Sequence, residues 1–240
     1  MLADIHANVR ALDAVLNDAV RHGTVDVLWV LGDIVGYGAE PNECIERLRD
    51  YPCVCIAGNH DLGATGRADL SLFNADAAAA CLWTRARLSA SSAEFLDALS
   101  LGVEEPPFLL VHGSPRDPVW EYVVSAPGAR AVSGFCPQPH CLAGHTHVPA
   151  LFRMDAGTPH DTRVGVVDID LRQRGGRLLL NPGSVGQPRD GDPRAAFAEV
   201  DLDELTVRFR RTPYDVQHAA AAVVNAGLPR GLAARLLVGF

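Results

Sequence analysis

The sequence contains no apolar run near the roughly 18 residues that a membrane-spanning helix needs. It opens with Met1-Leu2-Ala3-Asp4, which has neither the basic n-region nor the apolar h-region of a secretory signal. The six cysteines, at 44, 53, 55, 81, 136 and 141, form no CxxC pair and no framework of small loops. In a chain of this size they read as reduced core or surface thiols, and the cytoplasm is the expected compartment. Basic charge is not in excess. A formal net charge of −8 gives no global attraction to DNA, RNA or anionic lipid, so neither a nucleic-acid nor a membrane partner is expected. No internal repeat and no linker divides the chain. Its 240 residues suffice for one large domain with a substantial core, and a single domain over residues 1–240 is expected.

What is present is the balance of an ordinary globular protein, 48% hydrophobic and 21% charged. In the first half, helix and strand signals alternate. Residues 7–22 are helical, with Val9, Leu12, Leu16 and Ala19 on one face and Gly23 as the stop. Residues 25–31 form a near-continuous apolar run, as for a strand buried on both faces. A short helix with Pro41 in its first turn follows, then a strand over 53–57. Residues 74–99 predict two helices broken near Ser89 to Ser92. Further strands are predicted at 108–111, 140–143, 150–154, 164–171, 177–180, 195–201 and 205–211, with residues 155–163 as a polar connection. Helices at 214–226 and 232–238 close the chain. Few helices separate the later strands, which suggests mixed or antiparallel pairing.

The polar residues occur in a pattern. Four apolar strands each run into metal-binding residue types: Asp33, Asn59, His112, and the pair His145 and His147. A fifth group, Asp4-Ile5-His6, follows the first few residues. Ligands at the carboxyl ends of strands lie in the crevice where α/β sheets bind substrates. Asp4 and His6 are two apart, as are His145 and His147, so in extended backbone each pair points one way. Histidine nitrogens, aspartate oxygens and one asparagine carbonyl suit manganese, iron, nickel or zinc rather than calcium or a thiolate zinc site. One carboxylate can bridge two such ions. Two metals about 3.5–4 Å apart clamp a phosphate and lower the pKa of a shared water to about 7.

As a set, Asp4-x-His6, Gly32-Asp33, Gly58-Asn59-His60-Asp61, Val111-His112-Gly113 and Gly144-His145-Thr146-His147 resemble, in order, the motifs of calcineurin-like metallophosphoesterases. At average composition the Gly-Asn-His-Asp match alone would arise by chance in about one such chain in a thousand. Residues 32–38 and 181–189 resemble the small prokaryotic phosphodiesterase branch of that superfamily. The resemblance implies a four-layer α/β/β/α sandwich of two mixed sheets. It implies one metal on Asp4, His6 and His147, another on Asn59, His112 and His145, and Asp33 as the bridge. It further implies in-line attack on a phosphoester by a bridging hydroxide, with His60 stabilising charge or protonating the leaving oxygen. Two divalent ions, manganese foremost, are the expected cofactors. A phosphodiester is expected ahead of a monoester, and a small, nucleotide-like phosphoester as the partner. The alternative is a catalytically inactive scaffold of the same fold that binds proteins.

Two departures from the family pattern stand out. Ser/Thr phosphatases of the superfamily follow the bridging Asp with an Asp-Arg pair that orients the catalytic His and grips phosphate. Here Gly36-Tyr37 stands instead, which argues against protein phosphatase activity and leaves the partner of His60 unassigned, with Asp61 as a candidate. Family members also carry a full apolar strand before Asp-x-His, where this chain has Met1-Leu2-Ala3. Either that strand is cut short or the gene start is assigned too late, and its loss is expected to expose a buried sheet position and destabilise Asp4. His22, His140, His160 and His218 match no motif and read as surface or structural. Trp120 and Tyr122 read as core before stacking residues, Arg116 and Arg189 equally as surface or phosphate contacts, and Asn181 to Ser184 as support beneath the site.

Overall fold

The computed structural model describes residues 1–155, 161–163 and 166–240. Helix α1 (Val9–His22) starts where the Asn8 side chain accepts a hydrogen bond from the Ala11 N–H. Val9, Leu12, Val15 and Leu16 recur at helical spacing and are buried, while Arg10, Asn17 and Arg21 face solvent. The apolar run after it condenses to β1 (Leu28–Val30). Helix α2 (Pro41–Arg49) opens on a proline, where no N–H is needed. Strand β2 (Cys53–Cys55) pairs parallel with β1 and runs into α3 (Asn59–Thr65). Helices α4 (Ala75–Arg85) and α5 (Ala90–Asp97) are capped by Asn74 and Ser89, so the break falls where the serine cluster predicts.

The second half contains β3 (Gly102–Glu105), β4 (Phe108–Val111), α6 (Ala126–Val132), β5 (His140–Leu142), β6 (Ala150–Arg153), β7 (Asp161–Arg163) and β8 (Val167–Asp170). Then come α7 (Leu171–Arg174), β9 (Leu178–Asn181), β10 (Ala195–Asp201), β11 (Thr206–Thr212), α8 (Val216–Asn225) and α9 (Arg230–Val238). One sheet has the order β3-β4-β5-β9-β6-β7. Its centre is parallel and its flanks are antiparallel. In the other sheet, Met1 to Ala3 form the seam. Leu2 N–H donates to Trp29 O at 2.7 Å and Leu31 N–H to Leu2 O at 2.8 Å, while Met1 exchanges bonds of 2.8 and 3.1 Å with Ala198. That seam joins β2-β1 to the antiparallel β10-β11-β8.

Period-two alternation assigns the layers. Phe108 and Leu110 of β4 point between the sheets, where they meet Trp29, Leu31, Leu142, Leu180 and Phe209. Leu109 and Val111 point outward onto α6. Helices α1 and α2 cover the outer face of the other sheet through Leu12, Leu16, Ile45 and Leu48, against Val30 and Phe197. The result is an α/β/β/α sandwich of two mixed sheets. Helices α8 and α9 pack on α4 and on Tyr37, behind the loop that follows β1.

Two expectations need correction. Residues 155–163 are not a plain connection, since β7 pairs antiparallel with β6; residues 156–160 and His160 lie outside the described residues. The strand expected over 164–171 is β8 and ends at Asp170, whose side chain caps α7; residues 164 and 165 lie outside the description. Met1, Leu2 and Ala3, the residues before Asp4, are all buried in the seam. Among the described residues no helix is long and apolar enough to cross a membrane.

Candidate metal centre

Every strand position in the parallel pairings ends in the same crevice. The seam ends in Asp4 and His6, β1 in Asp33, β2 in Asn59, β4 in His112 and β5 in His145 and His147, so all seven predicted ligand residues converge. The local backbone differs from the extended form expected for the two His pairs. Asp4, His6, Asp33, His145 and His147 all have left-handed backbone, with φ between 50° and 67°. Left-handed backbone disfavours side chains with a Cβ and clusters where the surrounding structure over-determines it. Hydrogen bonds hold it here. Asp4 N–H donates to Gly32 O and His6 N–H to Asp33 O, and the Asp4 carbonyl accepts from Gly186 N–H and the Ser184 hydroxyl. Asn181 donates to Gly144 O at 2.5 Å, so residues 181–184 do brace the loops above them.

The ligand atoms form two groups that share Asp33. Asp4, His6, Asp33 and His147 each present an atom within 4.8 Å of the others, and so do Asp33, His112 and His145. Asp33 Oδ2 is 3.5 Å from His6 Nε2 and 3.4 Å from His112 Nε2. Asn59 Oδ1 is 3.1 Å from His112 Nε2, completing the second group. The outer nitrogens fix three rings. His6 Nδ1 faces Val35 O, His112 Nδ1 faces Leu31 O at 2.8 Å, and His147 Nδ1 faces Gln187 O at 2.6 Å. A carbonyl accepts only, so each Nδ1 carries a proton, and in the neutral ring each Nε2 turns a lone pair inward. His6 Nε2 and His147 Nε2 then lie 3.2 Å apart, lone pair to lone pair. Asp33 Oδ2 is buried without a hydrogen bond, as is His145 Nε2. Converging lone pairs and an orphaned carboxylate oxygen fit cations, and the mixed N/O donor set fits first-row divalent ions.

The electrostatics agree. Burial pushes His6 and His147 well below the usual histidine range, and it takes His145 down to about 3 with the help of His112. These rings are neutral, as a metal ligand must be. Burial opposes the charge on Asp33, yet His112, His60 and His6 hold its carboxyl well below the usual range. Burial likewise opposes charge on His112, but Asp33 outweighs it and raises that ring to about 9, so an ion bound there would displace the Nε2 proton. Burial pushes Asp4 up to about 8, with the charge of Asp33 adding to the rise. Two carboxylates this close call for positive charge between them.

His60 projects beside this set from the first turn of α3. Its N–H donates to Asp33 Oδ1 at 2.9 Å, and burial lowers its ring to about 4. Asp61 is not its partner. Both Asp61 oxygens are taken by backbone, accepting from Val35 N–H at 3.0 Å and Gly58 N–H at 2.9 Å. The neighbour of His60 Nδ1 is Cys81 Sγ, at 3.6 Å. A single cysteine on an alanine-rich helix gave no signal of this in the sequence.

The crevice opens into a cavity of about 120 Å³ lined by Asp33, His60, Tyr122, His145, His147 and Arg189, with Phe73 and Trp120 on one wall. Tyr122 is not core. It is 53% exposed and stacks on His145 with centroids 3.9 Å apart. Trp120 is half-buried and meets Phe73 edge-on. Arg116 pairs with Glu121 away from the ligands, and Arg189 joins the cavity wall. His22 pairs with Glu199, His140 packs on Phe108, and His218 faces Arg10, all outside the site.

Residues 1–204 match the family model of the calcineurin-like phosphoesterase superfamily domain. An uncharacterized protein of Methanocaldococcus jannaschii is 36% identical over 100% of this chain and 97% of its own. The crystal structure of a metallophosphoesterase from Sphaerobacter thermophilus superposes with a TM-score of 0.87 at 41% identity, covering 100% of this chain and 97% of that one. A hypothetical protein from Pyrococcus horikoshii shares the fold, with a TM-score of 0.80 at 22% identity over 100% of this chain and 97% of its own. The chain belongs to the calcineurin-like phosphoesterase superfamily.

Proposed function

We propose that the protein hydrolyses a small phosphodiester, with a monoester second, at a dinuclear centre loaded with manganese. Asp4, His6 and His147 would hold one ion, Asn59, His112 and His145 the other, and Asp33 both. The observation that carries this reading is Asp33 Oδ2, buried, unbonded and about equally far from His6 and His112. Two bound cations supply a clamp on the phosphate and a shared water acidified to about pKa 7.

The chain's own residues do the rest. The Val35, Leu31 and Gln187 carbonyls keep three Nε2 lone pairs aimed inward, and the His60 N–H fixes the Asp33 carboxylate. The His60 ring lies edge-on to His6, 4.9 Å between centroids, where it can donate to the leaving oxygen. Phe73, Trp120 and Tyr122 give the cavity an aromatic wall that suits a nucleoside-like group. Gly36-Tyr37 in place of an Asp-Arg pair favours a diester over a phosphoprotein. Six unpaired cysteines support a reducing compartment, the cytoplasm.

Turnover of bis-p-nitrophenyl phosphate and p-nitrophenyl phosphate by the manganese-loaded protein tests the reading. The diester should be the better substrate. Faster turnover of the monoester reverses the ranking, and no turnover of either refutes the activity.

A further inference from the structure

We propose that Arg189 is the residue that grips the phosphate in this cavity, filling the place left by the missing Asp-Arg pair. The proposal rests on the phosphoesterase reading of the site and assigns a residue to substrate binding within it.

The arginine is tied to a metal-ligand position by its own backbone. Its N–H donates to His147 O at 3.3 Å, and Gln187, whose carbonyl holds His147 Nδ1, also accepts from Arg189 Nη2 through Oε1 at 3.2 Å. The same nitrogen reaches the Tyr37 hydroxyl at 3.4 Å, and the guanidinium lies 5.8 Å from the Tyr37 ring centroid. Neither acceptor is charged. Arg189 Nε is buried without a hydrogen bond. Among the described residues no carboxylate pairs with this side chain. Arg116, Arg194, Arg210 and Arg211 all have one, and Asp190, the next residue along, is committed to Arg211.

A guanidinium offers five donors in a planar fork that matches two oxygens of a phosphate. Here the fork is half-buried at the cavity wall among neutral partners, Tyr37, Gln187 and Tyr122, with no carboxylate to hold its charge and Nε uncommitted. The side chain lines the same cavity as Asp33, His60, His145 and His147. In a chain of net charge −8 this is a local source of attraction for an anionic substrate.

The test compares the full manganese-loaded chain with Arg189→Met and Arg189→Lys, reading metal content, kcat/KM for bis-p-nitrophenyl phosphate, and calorimetric affinity for inorganic phosphate. Both variants should keep the wild-type metal content. Loss of a charge-assisted forked bond predicts that Arg189→Met loses about 10–100-fold in both kcat/KM and phosphate affinity. Arg189→Lys, which keeps the stem and charge without the fork, should fall between. Unchanged phosphate affinity in both metal-replete variants overturns the proposal. So does a metal content that falls in step with activity, which would make Arg189 a brace for His147. If the wild type hydrolyses nothing yet phosphate affinity still depends on Arg189, the activity reading fails and the grip stands.

Discussion

At the scale of single residues, Asp33 does the most. One of its carboxylate oxygens accepts the His60 N–H, and the other is aimed between two histidines with nothing bonded to it. An amide in its place would keep the shape and lose the charge that both groups share. Asp33→Asn is therefore expected to reduce metal content and to cost more activity than the roughly 10–100-fold that loss of an outer-shell partner causes. Metal analysis together with diester turnover checks this, and a variant retaining both ions and full activity would contradict it. The candidate ligands were legible in the sequence as a converging set because His, Asp and Asn at strand ends are chemically unusual together. The left-handed backbone that aims Asp4, His6, His145 and His147 was not legible, since it comes from bonds to residues 32–35, 144 and 181–187, distant in sequence. Tyr122 was missed for a similar reason. Its stacking on His145 depends on where two loops meet, not on its own neighbours.

At the scale of elements, the start of α3 sets the positions of both Asn59 and His60. Asp61 closes this turn by accepting from Gly58 and reaches across to Val35, so it acts as a cap that joins two loops. Asp61→Asn should lower stability by about 0.5–2 kcal/mol, while the diester pH–rate profile keeps its shape. A shifted profile with unchanged melting would instead return Asp61 to the role of partner to His60. Gly58 is needed for a different reason. A Cβ there would fall 2.1 Å from Asp33 Oδ1 and 2.4 Å from the Asp33 nitrogen. Gly58→Ala is expected to cost about 1–3 kcal/mol through overpacking, about 2–4 °C of melting temperature per kcal/mol for a chain of this size, and to weaken metal binding with it. Differential scanning calorimetry and metal titration read both effects; a variant that melts and binds metal like the wild type would contradict this. Elements with strong patterns, such as α1, α2, β4 and β10, were readable. Helix α3 was hidden because its first residues are functional types. Strand β3, Gly-Val-Glu-Glu, has no apolar run and is held by pairing with β4. Helix α6 carries Pro127 and Gly128 in its first turn and forms through burial of Ala126, Ala129 and Val132.

At the scale of the whole molecule, the two sheets pack face to face so that their parallel strand ends open on one crevice, and the candidate ligands come from both. Asp4, His6, Asp33 and Asn59 belong to one sheet, and His112, His145 and His147 to the other. Ions held between them would join the halves of the sandwich. Chelation is expected to lower the melting temperature by about 5–10 °C, since saturating a site at 100 times Kd contributes about 2.7 kcal/mol. Manganese should restore it, and a melting temperature indifferent to chelator would show that metal does not bridge the layers. The most direct test is an anomalous difference map from a manganese-soaked crystal. Two peaks about 3.5–4 Å apart, one on each side of Asp33, are the expected result. A single peak, or peaks away from Asp33, would contradict the shared carboxylate on which the proposed chemistry depends.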